Sequence, residues 1–288
     1  MRALVVLLLV TAVWGVTFVQ VKDAIALYPL FAFLALRFAI ASLTLAPAGL
    51  RRLRTLGVGG WRAAVLAGSL LGGGYALQTA GLERTSVSST GFITGMYVVL
   101  TPLLALAVFR VRVDAAAWLG VSLATVGLAL LAGIHGGNVL GDLLVLAGAA
   151  VYSLQIVLME QYAPRYDAIA FTLVEMLASF AGLLAIAVAL GQLEVPHGWT
   201  VWGALLVTGV FASALAFLAQ TWAQRRASAT QTALAFSLEP VWAAFFGFTL
   251  AGDRLGTLGW VGCAVIMAGI VIAEPEAAGV LTRLVRRT

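Results

Sequence analysis

Ten stretches of this chain, each roughly 20 residues long and mostly apolar, follow one another with short connections. They lie at roughly 3–21, 30–48, 63–81, 89–109, 115–133, 140–158, 168–190, 200–222, 230–251 and 257–274. A helix needs about 20 such residues to cross the hydrocarbon core of a bilayer. In lipid the backbone must satisfy its own polar groups, which leaves only helices and closed barrels. A barrel strand alternates apolar and polar residues, whereas these runs are continuously apolar. The expectation is an all-α integral membrane protein with ten transmembrane helices. Composition agrees: 62% of the 288 residues are hydrophobic and 10% charged, against about 45–50% and roughly 25% in soluble domains. That rules out most soluble enzymes, disordered proteins and nucleic-acid binders. The single cysteine, Cys263, excludes a disulfide framework and a Cys-based metal site.

The first run has some features of a secretory leader. However, only Met1 and Arg2 precede it, it is long, and Trp14, Thr17 and Gln20 interrupt its far end. It is read as a retained helix. Cations in the connections set the orientation. With the N-terminus in the cytoplasm, the inner segments hold Arg2, Arg51, Arg52, Arg54, Arg62, Arg110, Arg112, Arg165, Arg225, Arg226, Arg283, Arg286 and Arg287, thirteen in all. The outer connections hold three, Lys22, Arg84 and Arg254. Both termini are therefore expected in the cytoplasm, and the net charge of +5 needs no nucleic-acid partner.

The chain also repeats itself. Tyr75-Ala-Leu-Gln78-Thr79 parallels Phe217-Leu-Ala-Gln220-Thr221 at an offset of 142, and Trp118-Leu-Gly120 with Gly127 parallels Trp260-Val-Gly262 with Gly269 at the same offset. Thr101-Pro102 falls on Glu239-Pro240 at an offset of 138, as Trp14 falls on Tyr152, Phe33 on Phe171 and Arg37 on Glu175. Each copy holds five spans, and an odd number sends the second copy into the membrane upside down. The predicted architecture is two inverted five-helix repeats around a central cavity, at 1–134 and 135–275, followed by a basic cytoplasmic tail at 276–288. Transporters use such halves to alternate between inward-open and outward-open states.

These residues resemble the drug/metabolite transporter superfamily and, within it, the EamA family. The resemblance rests on Phe33-x3-Arg37-Phe38, on Thr90-Gly91-Phe92 through Leu100-Thr101-Pro102, and most of all on Ser237-Leu238-Glu239-Pro240-Val241, Ala251-Gly252-Asp253-Arg254-Leu255 and Trp260-Val-Gly262. It covers essentially the whole chain. The first repeat departs from the pattern at Phe109-Arg110-Val111-Arg112-Val113, where an acidic-basic turn is usual. The resemblance implies an exporter or permease of small metabolites in the bacterial inner membrane, with amino acids, some of them aromatic, as the commonest cargo.

Polar groups inside lipid are costly and usually face the bundle interior or a wet cavity. Thr90, Thr94, Tyr97 and Thr101 form one stripe in the fourth span, and Thr232, Phe236 and Glu239 form another in the ninth. Tyr75, Gln78 and Thr79 in the third span are answered by Ser213, Phe217, Gln220 and Thr221 in the eighth, with Trp14 and Phe18 in the first and Tyr152 and Gln155 in the sixth. These six spans are expected to line the cavity. The substrate-binding candidates are Trp14, Tyr75, Gln78, Thr79, Thr94, Tyr97, Thr101, Tyr152, Gln155, Phe217, Gln220, Phe236 and Glu239. Plain helix–helix hydrogen bonding is the competing explanation for any single Thr. Trp61, Trp199 and Trp202 sit at span ends and read as interface anchors.

Glu239 precedes Pro240, which removes one backbone donor and so frees the carbonyl of Phe236. Glu239 could bind a substrate ammonium or, if burial favours its neutral form, carry a coupling proton. Pro102 is its counterpart and would free Val98; with Gly73 in the Gly72-Gly73-Gly74 run, Pro102 and Pro240 are the hinge candidates. Arg37 and Glu175 are further coupling candidates, each expected to find a partner in its own half; a gate or a carboxylate-binding role for Arg37 is the alternative. Gly120, Gly127, Gly262 and Gly269 suit tight helix packing, within the molecule or in a dimer.

No metal or cofactor is expected. Asp23, Asp114, Asp142, Asp167 and Asp253 all lie at span edges or in connections, and His135 and His197 are in outer connections. That leaves no intramembrane aspartyl dyad and no zinc cluster. No nucleotide-binding loop occurs, so no ATPase subunit is implied. The expected partners are a small-molecule substrate and the lipid bilayer. An uncoupled facilitator or channel-like permease is the alternative to a carrier, and an intramembrane enzyme a lesser one.

Overall fold

The computed structural model describes residues 2–85, 87–110, 113–132, 138–246 and 256–273. The basic tail, Arg112, His135 and the Ala251–Leu255 run lie outside the described residues. Among the described residues every regular element is a helix. In chain order these are α1 (Arg2–Ile25), α2 (Leu30–Gly49), α3 (Gly57–Arg84), α4 (Val87–Gly95), α5 (Tyr97–Phe109), α6 (Ala115–Ala132), α7 (Val139–Tyr162), α8 (Ala168–Ala189), α9 (Trp199–Leu206), α10 (Ala216–Gln224), α11 (Ala229–Phe236), α12 (Glu239–Phe246) and α13 (Thr257–Ala273). Among the described residues six helical stretches are long and apolar enough to cross a membrane: Arg2–Ile25, Leu30–Thr55, Thr90–Val108, Val139–Arg165, Ala168–Ala189 and Trp199–Gln224.

Local chemistry fixes several helix starts. Asn138 accepts from the Gly141 amide ahead of α7, and Asp167 from the Ala170 amide ahead of α8. Ser228 and Gln231 cap each other's amides at the start of α11. Such caps satisfy amides that the helix itself leaves without partners.

Two runs expected to be single helices are interrupted. Met96 separates α4 from α5, and Ser237 and Leu238 separate α11 from α12. The second break lies just ahead of Pro240, as a missing backbone donor favours. The first lies six residues ahead of Pro102, which sits inside α5; the bend in that run is therefore centred upstream of the proline. Gly73 sits in the uninterrupted α3. Between α9 and α10, Val207–Leu215 winds as a π-helix, a form that recurs at functional sites because it shifts side chains off the α-helical register.

Glycines set the closest approaches. A Cβ on Gly127 of α6 would lie 2.7 Å from the Gly262 carbonyl of α13, and one on Gly269 would lie 2.7 Å from the Gly120 carbonyl. The four glycines singled out in the sequence thus pack α6 against α13 within one molecule. Gly74 of α3 faces the Tyr152 ring of α7, and Gly148 of α7 backs onto Gln78 and Gly74. Gly68 meets the Glu175 carbonyl of α8. Small residues let backbones meet at van der Waals distance, which is what holds helices together where lipid supplies no hydrophobic drive.

Hydrogen bonds between connections define two ends of the bundle. At one end Lys22 Nζ donates to the Thr85 carbonyl (2.7 Å), Thr85 Oγ1 to Asp142 (2.8 Å), the Phe31 amide to Gln192 (3.0 Å) and the Tyr28 hydroxyl to the Glu194 carbonyl (2.5 Å). Burial, with the Glu194 charge adding to it, pushes the Tyr28 phenol above its ordinary range. At the other end Arg52 pairs with Asp167 at 3.1 Å, and Glu160 accepts from the Ala229 amide at 3.1 Å. Trp61, Trp199 and Trp202 are exposed at helix ends, where amphipathic rings suit a membrane interface.

Candidate functional site

Six helical runs meet around one buried cavity of about 50 Å³. Trp14 comes from α1, Tyr75 and Gln78 from α3, Thr94 from α4 and Tyr97 from α5. Tyr152, Gln155 and Ile156 come from α7, Phe217 and Gln220 from α10, Phe236 from α11 and Glu239 from α12. Eleven of the thirteen residues singled out in the sequence thus share one wall. Thr79 lines an adjoining space of about 30 Å³ with Phe18, Arg37 and Glu239. Thr101 is fully buried but lines neither space, and its hydroxyl has no partner among the described residues.

Aromatic rings form most of the wall. Trp14 meets Phe217 at 5.3 Å and Phe236 at 4.8 Å between centroids. Tyr75 meets Tyr152 at 5.4 Å, Phe217 at 6.2 Å and Phe38 at 5.3 Å, and Tyr97 meets Phe236 at 6.1 Å. These separations fall in the range of favourable edge-to-face contact. The Trp14 indole also donates to the Ala212 carbonyl at 2.8 Å, in the π-helical stretch. Phe38, named in the sequence only for the family pattern, and Ile156 were not among the wall candidates. An apolar residue in an apolar run carries no mark of its facing.

The polar side chains are held in a fixed relay. Tyr152 donates to Gln78 Oε1 at 3.0 Å, and Gln78 Nε2 to Thr94 at 2.9 Å. Gln220 Nε2 reaches Gln155 Oε1 at 3.2 Å and Gln224 Oε1 at 2.9 Å. Gln155 Nε2 donates to Glu175 at 2.7 Å. Glu175 is wholly buried and does not line the cavity; its link to the cavity runs through Gln155. The second Glu175 oxygen and Gln220 Oε1 have no hydrogen-bond partner among the described residues.

The Phe236 carbonyl, freed by Pro240, is occupied. It accepts from the Tyr97 hydroxyl at 2.7 Å, and that hydroxyl also lies 3.2 Å from Glu239 Oε2. Arg37 was expected to find its partners in its own half. It donates from Nη2 to Tyr75 at 3.0 Å, as expected, but its Nε donates to Ser213 at 2.8 Å, across the molecule. The π-helical stretch carries Ser213, and Gly209 in the same stretch abuts the Arg37 carbonyl. Glu175 does keep its partner, Gln155, in its own half.

A larger space of about 570 Å³ opens at the end of the bundle that holds Lys22. Ile25, Tyr28, Phe31, Ala80, Glu83 and Gln192 are among its walls. Val21 of the inner space stands about one helical turn from Ile25 on α1, and Leu82 lies between Ala80 and Glu83 of the outer space on α3.

A helical chain with several membrane-length apolar stretches, enclosing polar and aromatic groups at their centre, has the build of an integral membrane transporter. The EamA-like transporter family matches it twice, over residues 1–133 and 139–273, and the chain belongs to that family. An uncharacterized transporter of Archaeoglobus fulgidus is 31% identical over 272 residues, covering 93% of this chain and 84% of the relative. A solved crystal structure matches the fold with a TM-score of 0.80 at 20% identity, over 96% of this chain and 99% of that one. Family and relative point to transport rather than enzymatic catalysis.

Proposed function

We propose that the protein is a secondary transporter that exports small metabolites, amino acids foremost and aromatic ones among them, by alternating access. One observation carries this reading: a small interior cavity, lined by aromatic rings and by the side chains of Gln78, Gln155, Gln220 and Glu239, sits between helices drawn from both family-matched segments. Polar and ionisable groups at such depth mark a substrate or ion path. Apolar walls with a few convergent polar groups suit an apolar body with a polar end.

The cavity's size fits a closed state. About 50 Å³ holds a few waters, whereas ligand sites span about 300–1,000 Å³. Cargo therefore requires the helices to part. The wider space beyond Val21 and Leu82 lies on the side with few cations, assigned here to the exterior. The reading comprises ten membrane spans in two inverted halves, 1–134 and 135–275, both termini in the cytoplasm, and a bacterial cytoplasmic membrane. The double family match and the two hydrogen-bonded ends support it. The partners are the substrate and the bilayer, with no ATPase subunit. Glu239 is the residue assigned to coupling.

The test is uptake of a labelled amino-acid panel into proteoliposomes, with and without a pH gradient, by the wild-type protein and by Glu239→Gln. Saturable flux, stimulated by substrate on the far side and lost in the variant, supports a carrier that works through Glu239. Flux without such stimulation fits a facilitator and defeats alternating access. Unchanged flux and pH response in the variant remove Glu239 from the mechanism.

A further inference from the structure

We propose that Arg37 and Glu239 grip opposite charges of one zwitterionic cargo, Arg37 taking a carboxylate and Glu239 an ammonium, while the aromatic wall takes the body. This deepens the transport reading and rests on it.

Arg37 is 3% exposed. Its contacts are neutral: Ser213 at Nε, Tyr75 at Nη2, and the Tyr75 ring 4.3 Å from the guanidinium carbon. No carboxylate of a described residue pairs with it. A guanidinium stays charged in proteins and carries five N–H donors; here the second terminal nitrogen is given to no described group. Charge buried in a membrane bundle is costly unless it is closely paired, and Arg37 interacts with Glu239 only through space, without a direct ion pair. What would complete the site is an oxyanion, which the planar fork of Arg suits.

Glu239 is 7% exposed and lies on the wall of the same inner space as Arg37, yet no ion pair joins the two. Trp14, Tyr75 and Gln78 border both this space and the aromatic cavity. Opposite charges across a gap that opens onto an apolar cage match a molecule with adjacent carboxylate and ammonium groups and an apolar side chain. A cargo with only one of those charges would leave the other buried group uncompensated, and such mismatches are the ones a polar site rejects most strongly.

The test measures binding by the purified, detergent-solubilised full chain. The ligands are two matched trios: phenylalanine, phenethylamine and 3-phenylpropionate, and leucine, isoamylamine and 4-methylpentanoate. The wild type should bind at least one amino acid about tenfold or more tighter than its amine and its acid. Arg37→Gln should lose about tenfold or more on that amino acid and little on the amine. Glu239→Gln should lose on the amino acid and little on the acid. Arg37→Lys, which keeps the charge without the fork, should restore part of the loss and guards against a folding defect in Arg37→Gln. Three results overturn the proposal: no binding by any of the six compounds, equal affinity within both trios, or equal loss on amine and amino acid in Arg37→Gln. Transport is measured alongside. Charge-selective binding without flux supports the cradle and defeats the transport reading; flux that ignores the charges defeats the cradle and spares transport.

Discussion

The Tyr97 hydroxyl stands 2.7 Å from the Phe236 carbonyl and 3.2 Å from Glu239 Oε2, on a helix of the first family-matched segment facing two positions of the second. It has one hydrogen to give. The shorter contact is to a carbonyl that Pro240 leaves without its helical donor, so a side chain from across the molecule repairs the broken turn. Tyr97→Phe should destabilise the protein by about 1–2 kcal/mol, the usual cost of a buried acceptor left alone, and should slow transport. Unfolding in micelles, measured beside proteoliposome flux, checks this. A variant as stable and active as wild type would show that the hydroxyl only fills space.

Gly127 and Gly73 should respond oppositely to the same change. A Cβ on Gly127 would lie 2.6 Å from Ile266 and 2.7 Å from the Gly262 carbonyl, while one on Gly73 meets nothing within 4 Å. Gly127→Ala should cost about 1–3 kcal/mol through overpacking. Gly73→Ala should be neutral or gain up to about 1 kcal/mol from helix propensity. Melting temperatures of the two variants in one detergent decide it.

Lys22, Thr85 and Asp142 tie α1, the end of α3 and α7 together, close in sequence to Val21 and Leu82, which we take as the partition between the two spaces. Lys22→Met keeps the stem and removes the ammonium, along with a charge-assisted bond of about 1.5–3 kcal/mol. The partition should then open more often. With Cys263 replaced by Ala and a cysteine placed at Leu82, labelling by a membrane-impermeant thiol reagent should quicken about fivefold or more. An unchanged rate would mean that the bond holds no gate.

Glu175 and Glu239 should separate under identical substitution. Glu239 lines both inner spaces, whereas Glu175 touches neither and holds Gln155 in place with one oxygen. Glu175→Gln keeps an acceptor for Gln155 and should retain most of the transport that Glu239→Gln loses. Comparable loss in both variants would place Glu175 in the mechanism rather than behind it.

The lining of the cavity was largely legible in the sequence, and the reason is solvation. Gln78, Gln155, Gln220 and Glu239 stand out in apolar runs because lipid gives such groups no partner, so they must turn inward. The repeat then drew Tyr75 and Phe217 to the same place. Ile156 of the lining, and the contact of Phe38 with Tyr75 behind it, stayed hidden because their chemistry is that of every lipid-facing neighbour. The reach of Arg37 to Ser213 was hidden as well. It depends on the π-helical stretch at Val207–Leu215, and the local composition there, Val-Thr-Gly-Val-Phe-Ala-Ser-Ala-Leu, fits an ordinary α-helix equally well. Pro102 misdirected in the other way, since the break in its run falls at Met96, directly after Gly95 rather than at the proline.

The α6–α13 contact has a consequence for traffic through the molecule. Carbonyl oxygens press against glycines at both ends of this seam, so no solute can slip between the two helices without prising backbones apart. On the α1–α3 side Val21 and Leu82 line the inner space while Ile25, Ala80 and Glu83 line the outer one, and side chains rotate far more cheaply than helices separate. Under the alternating-access proposal, the α6–α13 flank is therefore the one expected to stay shut while cargo passes elsewhere.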